Sequence, residues 1–402
     1  MRFATLLAVA AATIGSAVAQ NKDTFVLGFN AGASDDAGKA KSQSDFEKEF
    51  KTAKTLSGAP GNFTAIRLYS NIQWGTETEP IAAFPAAIAT NTKLLLGIWA
   101  SGADNIDNEL KTLQAAITKY GSKLTDLVIG ISVGSEDLYR VSEPGIRNKA
   151  GVGNGADAIV KFIKATRSKL AGTALAKVPL THVDTWTAWV NTSNAEVIDN
   201  IDFLAVNAFP FYESERDNKI ENAGSLLSSA LSATEGVAKG KEVWITETGW
   251  AYSGPAFGNA DATEKNAGKY WKEVGCALFG KKNVFWYTLR DANPENKVKF
   301  AITDNLSTKP RYDLTCPTKV DLPVASPASS GNSTSPSGSP SNSASASGAS
   351  GVAAPASSGS PTTSEPAQAS QTGNAPGASS VSIVNSMAMA LSVVFAFAAF
   401  AL

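Results

Sequence analysis

Histidine and cysteine are almost absent from this sequence. Among its 402 residues, His182 is the only histidine, and Cys276 and Cys316 are the only cysteines. A serine or cysteine triad requires a histidine base, and a zinc site takes most of its ligands from histidine and cysteine. We therefore expect neither a metal nor another cofactor. His182 lies at a predicted strand end, where we expect a substrate contact or a hydrogen-bonded position inside the fold.

Charge is almost absent from the C-terminal part of the chain. Beyond Asp321 the only charged side chain is Glu365, and residues 324–380 are nearly all Ser, Ala, Gly, Pro and Thr. Such a segment cannot bury enough apolar surface to offset its ordering entropy, so residues 321–380 are predicted to form a disordered stalk. Residues 20–320 remain as one folded domain, which is a suitable length for a single α/β barrel.

An excess of positive charge is also missing. The formal net charge is −1, and the basic residues are spread evenly along the chain. Proteins that bind nucleic acid usually carry a basic patch or stripe. A nucleic-acid partner is therefore not expected.

Apolar runs stand at both termini. Residues 1–19 combine one positive charge, a short apolar run and an A-x-A site, which predicts a secretory signal peptide cleaved after Ala19. Residues 381–402 form an uncharged apolar tail behind a polar spacer, which predicts a removable signal for a glycosylphosphatidylinositol (GPI) anchor. A C-terminal transmembrane helix is the alternative. The candidate attachment residues are Gly373, Asn374 and Gly377.

Secretion has two covalent consequences. In an oxidising compartment Cys276 and Cys316 are predicted to form a disulfide. N-glycosylation sequons are candidate surface sites in the same compartment. They begin at Asn62, Asn191, Asn305 and Asn332.

Short apolar runs alternate with amphipathic segments through the folded domain, a pattern typical of repeated βα units. The predicted strands cover residues 25–30, 65–70, 93–100, 127–133, 180–185, 203–208, 243–246 and 284–289. Helices are predicted at residues 44–57, 106–120, 156–170, 225–239 and 263–279. Eight such units predict a (β/α)8 TIM barrel, and a doubly wound open sheet is the alternative.

A formal G-x-G-x-x-A match occurs at residues 151–156. In dinucleotide-binding folds this motif follows a strand, whereas here it follows charged residues. It therefore predicts a loop and the start of a helix.

Two of the predicted strands are followed closely by glutamate. Glu136 follows the fourth run and Glu247 the seventh, so in a closed barrel both side chains would lie at the same mouth. Glycoside hydrolysis uses such a pair, one carboxyl protonated and the other ionised. The alternative is that each glutamate forms a buried ion pair, for example with Arg140 or Arg290.

Aromatic residues cluster at the same predicted strand ends, where their rings could stack on sugar faces. Trp244 and Phe203, inside strands, are assigned to packing instead. The residues that we expect to contact a substrate are Tyr69, Ser135, Asn207, Phe209, Tyr212, Trp250 and Trp286.

The two glutamates lie in motifs that resemble those of glycoside hydrolase family 17, in particular its fungal, wall-associated endo-β-1,3-glucanases. The motifs are Ile131-Ser-Val-Gly-Ser-Glu136 and Trp244-Ile-Thr-Glu247-Thr-Gly-Trp250. The similarity extends to Ile66-Arg-Leu-Tyr69, Val206-Asn-Ala-Phe-Pro-Phe211 and Lys309-Pro-Arg-Tyr-Asp-Leu-Thr-Cys316.

This resemblance implies a (β/α)8 barrel that retains anomeric configuration, with Glu136 as proton donor and Glu247 as nucleophile. It also implies β-1,3-glucan of the cell wall as substrate, a GPI anchor on the outer face of the plasma membrane, and a monomer. Ser135 departs from the asparagine common in the wider family, so Asn207 could take over its hydrogen bond to the substrate. The alternatives are a β-1,3-glucanosyltransferase with the same glutamates and a non-catalytic glucan-binding wall protein.

Overall fold

The computed structural model of this chain describes residues 25–325. The predicted signal peptide, the stalk beyond residue 325 and the apolar tail lie outside the described residues. The same holds for Asn332 and for the candidate attachment residues Gly373, Asn374 and Gly377.

Eight parallel strands close into a barrel in the order in which they occur in the chain. They are β1 Leu27–Ala31, β2 Ala65–Leu68, β3 Lys93–Ile98, β4 Val128–Ser135, β5 Leu180–Thr185, β6 Leu204–Asn207, β7 Val243–Thr248 and β8 Val284–Trp286. Each coincides with a predicted run. The predicted TIM barrel is therefore confirmed, and the open sheet is excluded.

The barrel interior changes from apolar to polar along the strands. Its apolar level consists of Ala65, Leu95, Val183, Phe203, Ala205, Trp244 and Phe285. Because side chains alternate along a strand, the residues two positions further on also point inward. On β2 and β6 these are Arg67 and Asn207, both buried. Polar groups therefore gather toward the carboxyl ends of the strands, where TIM barrels carry their active sites.

Helical segments connect the strands. They are α1 Gln43–Lys54, α2 Ala83–Thr90, α3 Asp107–Tyr120, α4 Ser122–Thr125, α5 Asp137–Arg140, α6 Glu143–Arg147, α7 Ala156–Leu170, α8 Trp186–Trp189, α9 Ala195–Asn200, α10 Ala223–Val237, α11 Glu264–Tyr270 and α12 Cys276–Leu278. Short 3₁₀ turns cover Thr192–Asn194, Pro210–Tyr212 and Ile220–Asn222. A π-helical turn, Trp271–Gly275, joins α11 to α12.

Four predicted helices correspond to α1, α3, α7 and α10, with small changes in their bounds. The fifth, predicted at residues 263–279, is divided by the π-helical turn. Helix α2 was not predicted, because its sequence is apolar almost throughout and shows no amphipathic period. Helix α7 begins at Ala156, as expected for the end of the G-x-G-x-x-A segment.

Cys276 and Cys316 form the predicted disulfide, with their Cα atoms 5.5 Å apart. In the chain Cys276 lies between Trp271 and Phe279, whose rings form a cluster with Trp286 in which the centroids are 4.8 to 5.8 Å apart. The disulfide ties the end of the helical segment after β7 to the segment that follows β8.

We expect the double substitution Cys276→Ala, Cys316→Ala to lower the free energy of unfolding by about 4 kcal/mol, because an open chain regains the entropy of a loop of about 40 residues. Chemical denaturation of the purified protein measures this loss. Reduction of the wild-type disulfide is the matched control and should give a similar loss. An unchanged midpoint in both would contradict a stabilising role for the bond.

Three of the sequon asparagines, Asn62, Asn191 and Asn305, are exposed, so each is accessible to a glycan. Their occupancy stays a prediction. Between residues 25 and 325, none of the helices has both the length and the apolar character needed to cross a membrane.

Candidate active site

Both glutamates follow an irregularity in strand pairing. On β4, residues Ser132 and Ser135 pair with Thr181 and Val183, so β4 carries one extra residue there. Strand β7 likewise has extra length against β6 just before Glu247. Such bulges redirect side chains and are frequent beside active sites. Here they bring the two glutamates to the same end of the barrel, as predicted.

Glu247 is buried and makes an ion pair with an arginine. Its Oε1 lies 2.5 Å from Nη1 of Arg67 and accepts a hydrogen bond from the hydroxyl of Tyr69 at 2.8 Å. Arg67 is itself held by Oδ1 of Asn30 at 3.0 Å and by the Ser135 hydroxyl at 2.8 Å. A guanidinium and a phenol therefore both donate to the same carboxylate oxygen. Among the described residues, both bonds go to Oε1, which leaves Oε2 for another partner.

Arg67 and Asn30 were not predicted as site residues. Arg67 stands in the otherwise apolar strand Ala65–Leu68 and is 1% exposed. A charge inside a buried strand requires a counter-charge, and this is the signal that sequence reasoning could have used. The ion pairs proposed with Arg140 and Arg290 are not found: Glu247 pairs with Arg67.

Glu136 has a different environment. Its Oε1 accepts a hydrogen bond from Nδ2 of Asn207 at 2.9 Å, and Oδ1 of Asn207 in turn accepts one from the Thr246 hydroxyl. Burial, followed by the negative charge of Glu247, raises the pKa of Glu136 to about 7, although the positive charge of Arg140 opposes this rise. At neutral pH a substantial fraction of Glu136 therefore carries a proton.

A cavity of about 470 Å³ lies over the two glutamates. It extends to one side of them, between the loops that follow β8, β1, β2 and β3. Of the predicted substrate-contacting residues, Tyr69 and Ser135 line it, and their contact with a substrate stays a prediction. The other aromatic side chains in its wall are Trp74, Trp99 and Tyr287.

The predicted substrate contacts of Trp250 and Trp286 are wrong. Each is only 1% exposed and belongs to the core. The Trp250 indole donates to the backbone oxygen of Asp261, and its ring packs against Phe211 and Tyr270. Trp286 packs against Trp271, which lies in the π-helical turn that precedes β8 in the chain. Neither ring has a free face for a sugar.

Phe209 and Tyr212 are half-buried and contact each other edge to face. They do not line the cavity over the glutamates. Phe209 supports its wall, because its ring packs against Tyr287 at 5.6 Å. The Asn207 side chain donates a hydrogen bond to Glu136. That Asn207 also bonds the substrate in place of an asparagine at position 135 stays a prediction.

Two further carboxyl groups in the cavity wall were missed by sequence reasoning. Glu109, at the start of α3, accepts hydrogen bonds from the Ser70 hydroxyl and from the backbone N–H groups of Asn71 and Trp99. Burial raises the pKa of Glu109 to about 7. Asp291 accepts two backbone N–H groups after β8, and burial raises its pKa also. Glu109 lies in the first turn of a helix and Asp291 lies in a loop, so neither has the strand-end pattern that would mark it.

We expect Arg67→Met to lower the free energy of unfolding by about 3–5 kcal/mol at pH 7, because Glu247 would be left buried and unpaired. Chemical denaturation at pH 7 measures this loss. Arg147→Met is the matched control: its ion pair with Glu215 is exposed, so it should cost less than about 1 kcal/mol. Equal losses in the two variants would contradict the buried pair.

The chain forms a closed α/β barrel with a glutamate at the carboxyl end of β4 and another at that of β7. Glu247 is paired with an arginine, and Glu136 has a raised pKa. These features are those of a glycoside hydrolase site. Residues 28–302 match the family described as the BtgE/BtgC glycoside hydrolase domain. The chain therefore belongs to this family.

Proteins of similar sequence occur in Aspergillus species. The chain is 54% identical over 291 residues to a protein of Aspergillus oryzae named "Probable glucan endo-1,3-beta-glucosidase eglC"; the match covers 72% of this chain and 62% of that relative. A protein of the same name from Aspergillus fumigatus is 50% identical over 318 residues, 79% of this chain and 70% of the relative. The chain thus spans less than two thirds of the first relative.

Among solved structures, a glycoside hydrolase family 17 beta-1,3-glucanosyltransferase from Rhizomucor miehei superposes with a TM-score of 0.56. The match covers 70% of this chain and 98% of that one, at 22% identity. At this identity the comparison supports the shared barrel fold.

Proposed function

We propose that this chain is a retaining glycoside hydrolase that cleaves internal β-1,3 bonds of β-glucan. The observation that carries the proposal is the difference between its two glutamates. Glu247 accepts hydrogen bonds from Arg67 and Tyr69 on one oxygen, whereas burial and the nearby negative charge raise the pKa of Glu136 to about 7. Retaining glycosidases need this division between a nucleophile and a proton donor.

The proposed reaction has two steps. The free oxygen of Glu247 attacks the anomeric carbon, while Glu136 gives its proton to the leaving oxygen, and a covalent glycosyl ester forms. Glu136, now an anion, then takes a proton from water, which attacks the ester and releases the sugar with its original configuration. Arg67 and Tyr69 stabilise the Glu247 carboxylate when it leaves again.

The substrate is supported by the cavity and by the relatives. A neutral polysaccharide requires apolar faces for stacking and polar groups for its hydroxyls. The cavity offers Tyr69, Trp74, Trp99 and Tyr287 together with Ser135. Relatives that are about half identical bear names for action on 1,3-β-glucan.

Product analysis tests this proposal. The purified protein is incubated with a defined β-1,3-gluco-oligosaccharide, and with a β-1,4-linked oligosaccharide of equal length as the control. Shorter β-1,3 products, released first as the β-anomer in proton NMR, are the expected result. Longer products would instead identify a glucanosyltransferase that uses the same glutamates. An inactive wild-type protein that still binds the oligosaccharide would support a non-catalytic glucan-binding protein.

We also propose that the enzyme is secreted and acts in cell-wall remodelling from a GPI anchor on the plasma membrane. The proposal is supported by the sequence of residues 1–19 and 381–402, by the Cys276–Cys316 disulfide, and by the exposed sequons. Phosphatidylinositol-specific phospholipase C should release the protein from a membrane fraction. Retention after treatment, with release of another GPI-anchored protein as the control, would favour a transmembrane tail.

A further inference from the structure

His182 lies on β5, next to the strand end that carries Glu136, and it is fully buried. Its Nδ1 is 2.7 Å from the backbone oxygen of Val133, and its Nε2 is 2.9 Å from Oδ2 of Asp184. A backbone carbonyl can only accept a hydrogen bond, so Nδ1 must donate. Of the two expectations for His182, the hydrogen-bonded position inside the fold is the one found.

Both oxygens of the Asp184 carboxylate accept hydrogen bonds from backbone N–H groups. Its Oδ2 accepts the backbone N–H of Leu138 at 2.9 Å, and its Oδ1 accepts those of Thr185 at 2.7 Å and Tyr139 at 3.3 Å. Three N–H groups thus already donate to this carboxyl group. In an imidazolium both ring nitrogens carry protons, so Nε2 of His182 can be the fourth donor to it.

Strand β5 holds the backbone on both sides of Glu136. Glu136 has φ 60° and ψ 22°, a left-handed conformation that is unfavourable for a residue with a side chain. Its own N–H donates to the backbone oxygen of Val183 at 2.8 Å. His182 and Asp184 hold the backbone before and after it, at Val133 and Leu138. Three consecutive β5 residues therefore fix the turn that aims the Glu136 side chain.

A second carboxylate, Asp137, faces the same imidazole. Its Oδ2 accepts the N–H of Ser135 at 2.9 Å. A Cβ at Gly134 would lie 2.5 Å from this oxygen and 3.0 Å from Cε1 of His182, so only glycine lets the two groups pack against the strand end. Burial raises the pKa of Asp137, and the positive charges of His182 and Arg140 oppose that rise. The imidazolium thus has a carboxylate on either side.

We propose that His182 and Asp184 form a buried imidazolium–carboxylate pair that positions the acid Glu136 for proton transfer. The pair does not touch the substrate; it acts by holding the turn, and its catalytic meaning rests on the proposed function. Burial by itself lowers the pKa of His182. The hydrogen bond and negative charge of Asp184, together with the charge of Asp137 and the hydrogen bond to Val133, raise it above the ordinary value.

The ionisation of the pair can be measured without any activity. Because His182 is the only histidine, full-length protein labelled with 15N-histidine and made without a histidine tag gives imidazole signals from this residue alone. We expect both ring nitrogens to be protonated at pH 7.5, about one unit above the ordinary histidine pKa of about 6.5. A single protonated nitrogen at this pH would overturn the proposal. If wild type failed to cleave β-glucan, the proposed function would fail, and the NMR result would still decide the charge.

The positioning role is tested with His182→Gln, which can supply one amide donor group but no charge. We expect kcat on a β-1,3-gluco-oligosaccharide to fall about 10–100-fold, the scale of a misplaced catalytic group, with KM little changed. A 2,4-dinitrophenyl β-laminaribioside needs no proton for its leaving group, so the rate of its first step, measured as the burst of dinitrophenol, should fall much less. Asp184→Asn should give the same difference between substrates and serves if His182→Gln does not fold.

Thr166→Val is the matched control. Thr166 is also buried, and its hydroxyl donates to the backbone oxygen of Phe162 within α7, away from the pair. We expect it to lose some stability while both substrates are cleaved at wild-type rates. An equal loss on the two substrates in His182→Gln and Asp184→Asn, or no loss on either, would overturn the positioning role.

Discussion

Glu247→Gln is expected to lower kcat/KM on β-1,3-gluco-oligosaccharides by at least about 10⁴-fold, the scale of loss when one member of a catalytic unit is removed. An amide cannot form the glycosyl ester, so the first step has no nucleophile. The substitution keeps an acceptor oxygen for Arg67 and Tyr69, which both bond to Oε1 in the wild type. The loss should therefore appear in activity while the protein stays folded, as circular dichroism can verify.

Covalent labelling separates the nucleophile from a residue that merely supports it. A 2-deoxy-2-fluoro glycosyl fluoride should label wild type on Glu247 and leave Glu247→Gln unlabelled, as mass spectrometry of peptides would report. In Glu247→Gly, added azide can occupy the space of the lost carboxyl group and attack from the same side. The product should then be the α-azide. Labelling that persists in Glu247→Gln would move the nucleophile to another residue.

The same substitution should change the neighbouring acid. Part of the raised pKa of Glu136 comes from the negative charge of Glu247, after the larger effect of burial. Removal of that charge should lower the pKa of Glu136 from about 7 toward its ordinary value. NMR titration of side-chain carboxyl carbons in Glu247→Gln measures the shift. A pKa that stays near 7 would mean that burial alone accounts for it.

The barrel and its two glutamates could be predicted because both follow from short-range patterns. Each strand is a short apolar run between amphipathic segments, and Glu136 and Glu247 stand at the ends of two such runs. Parallel strands in a barrel end at one face, so the convergence of the two acids needs no knowledge of packing. The division of roles between them required the resemblance, since the strand ends alone look alike.

The errors arise where a one-residue change in register decides the direction of a side chain. Trp286 was assigned to the mouth as one of the aromatic residues close to a predicted strand end, here that of the run at residues 284–289. The strand ends at Trp286, and Phe285 points into the barrel, so Trp286 faces the outer layer. Register also matters for the two glutamates, because bulges in β4 and β7 bring Glu136 and Glu247 to the mouth. The sequence carries little signal for a bulge, so these bulges could not be predicted.

Arg67 illustrates an intermediate case. The alternation of Ala65, Arg67 and Tyr69 places all three side chains on the inner face of the barrel, so a buried cation was predictable in principle. Its partner was not, because Glu136 and Glu247 are equally reasonable from the sequence. The structure identifies Glu247 as the partner, because Nη1 of Arg67 lies 2.5 Å from Oε1 of Glu247.

The basic limb of the pH profile should report Glu136. The group must be protonated to act on the leaving oxygen, and its pKa is raised to about 7 by burial and by the charge of Glu247. We therefore expect kcat/KM on oligosaccharides to fall as the pH rises through about 7, because the fraction of protonated Glu136 falls. A profile that stays flat to pH 9 would contradict this assignment.

Glu136→Gln should remove that limb and reveal the acid role directly. On β-1,3-gluco-oligosaccharides, whose leaving alcohol needs a proton, we expect kcat/KM to fall about 10²–10⁴-fold. On 2,4-dinitrophenyl β-laminaribioside the first step should continue, and the glycosyl ester should accumulate because no base activates water. Azide, which needs no base, should then release the β-azide, the opposite anomer to that from Glu247→Gly. Equal losses on both substrates, with no rescue by azide, would instead mean that Glu136 supports the fold of the site and does not transfer the proton.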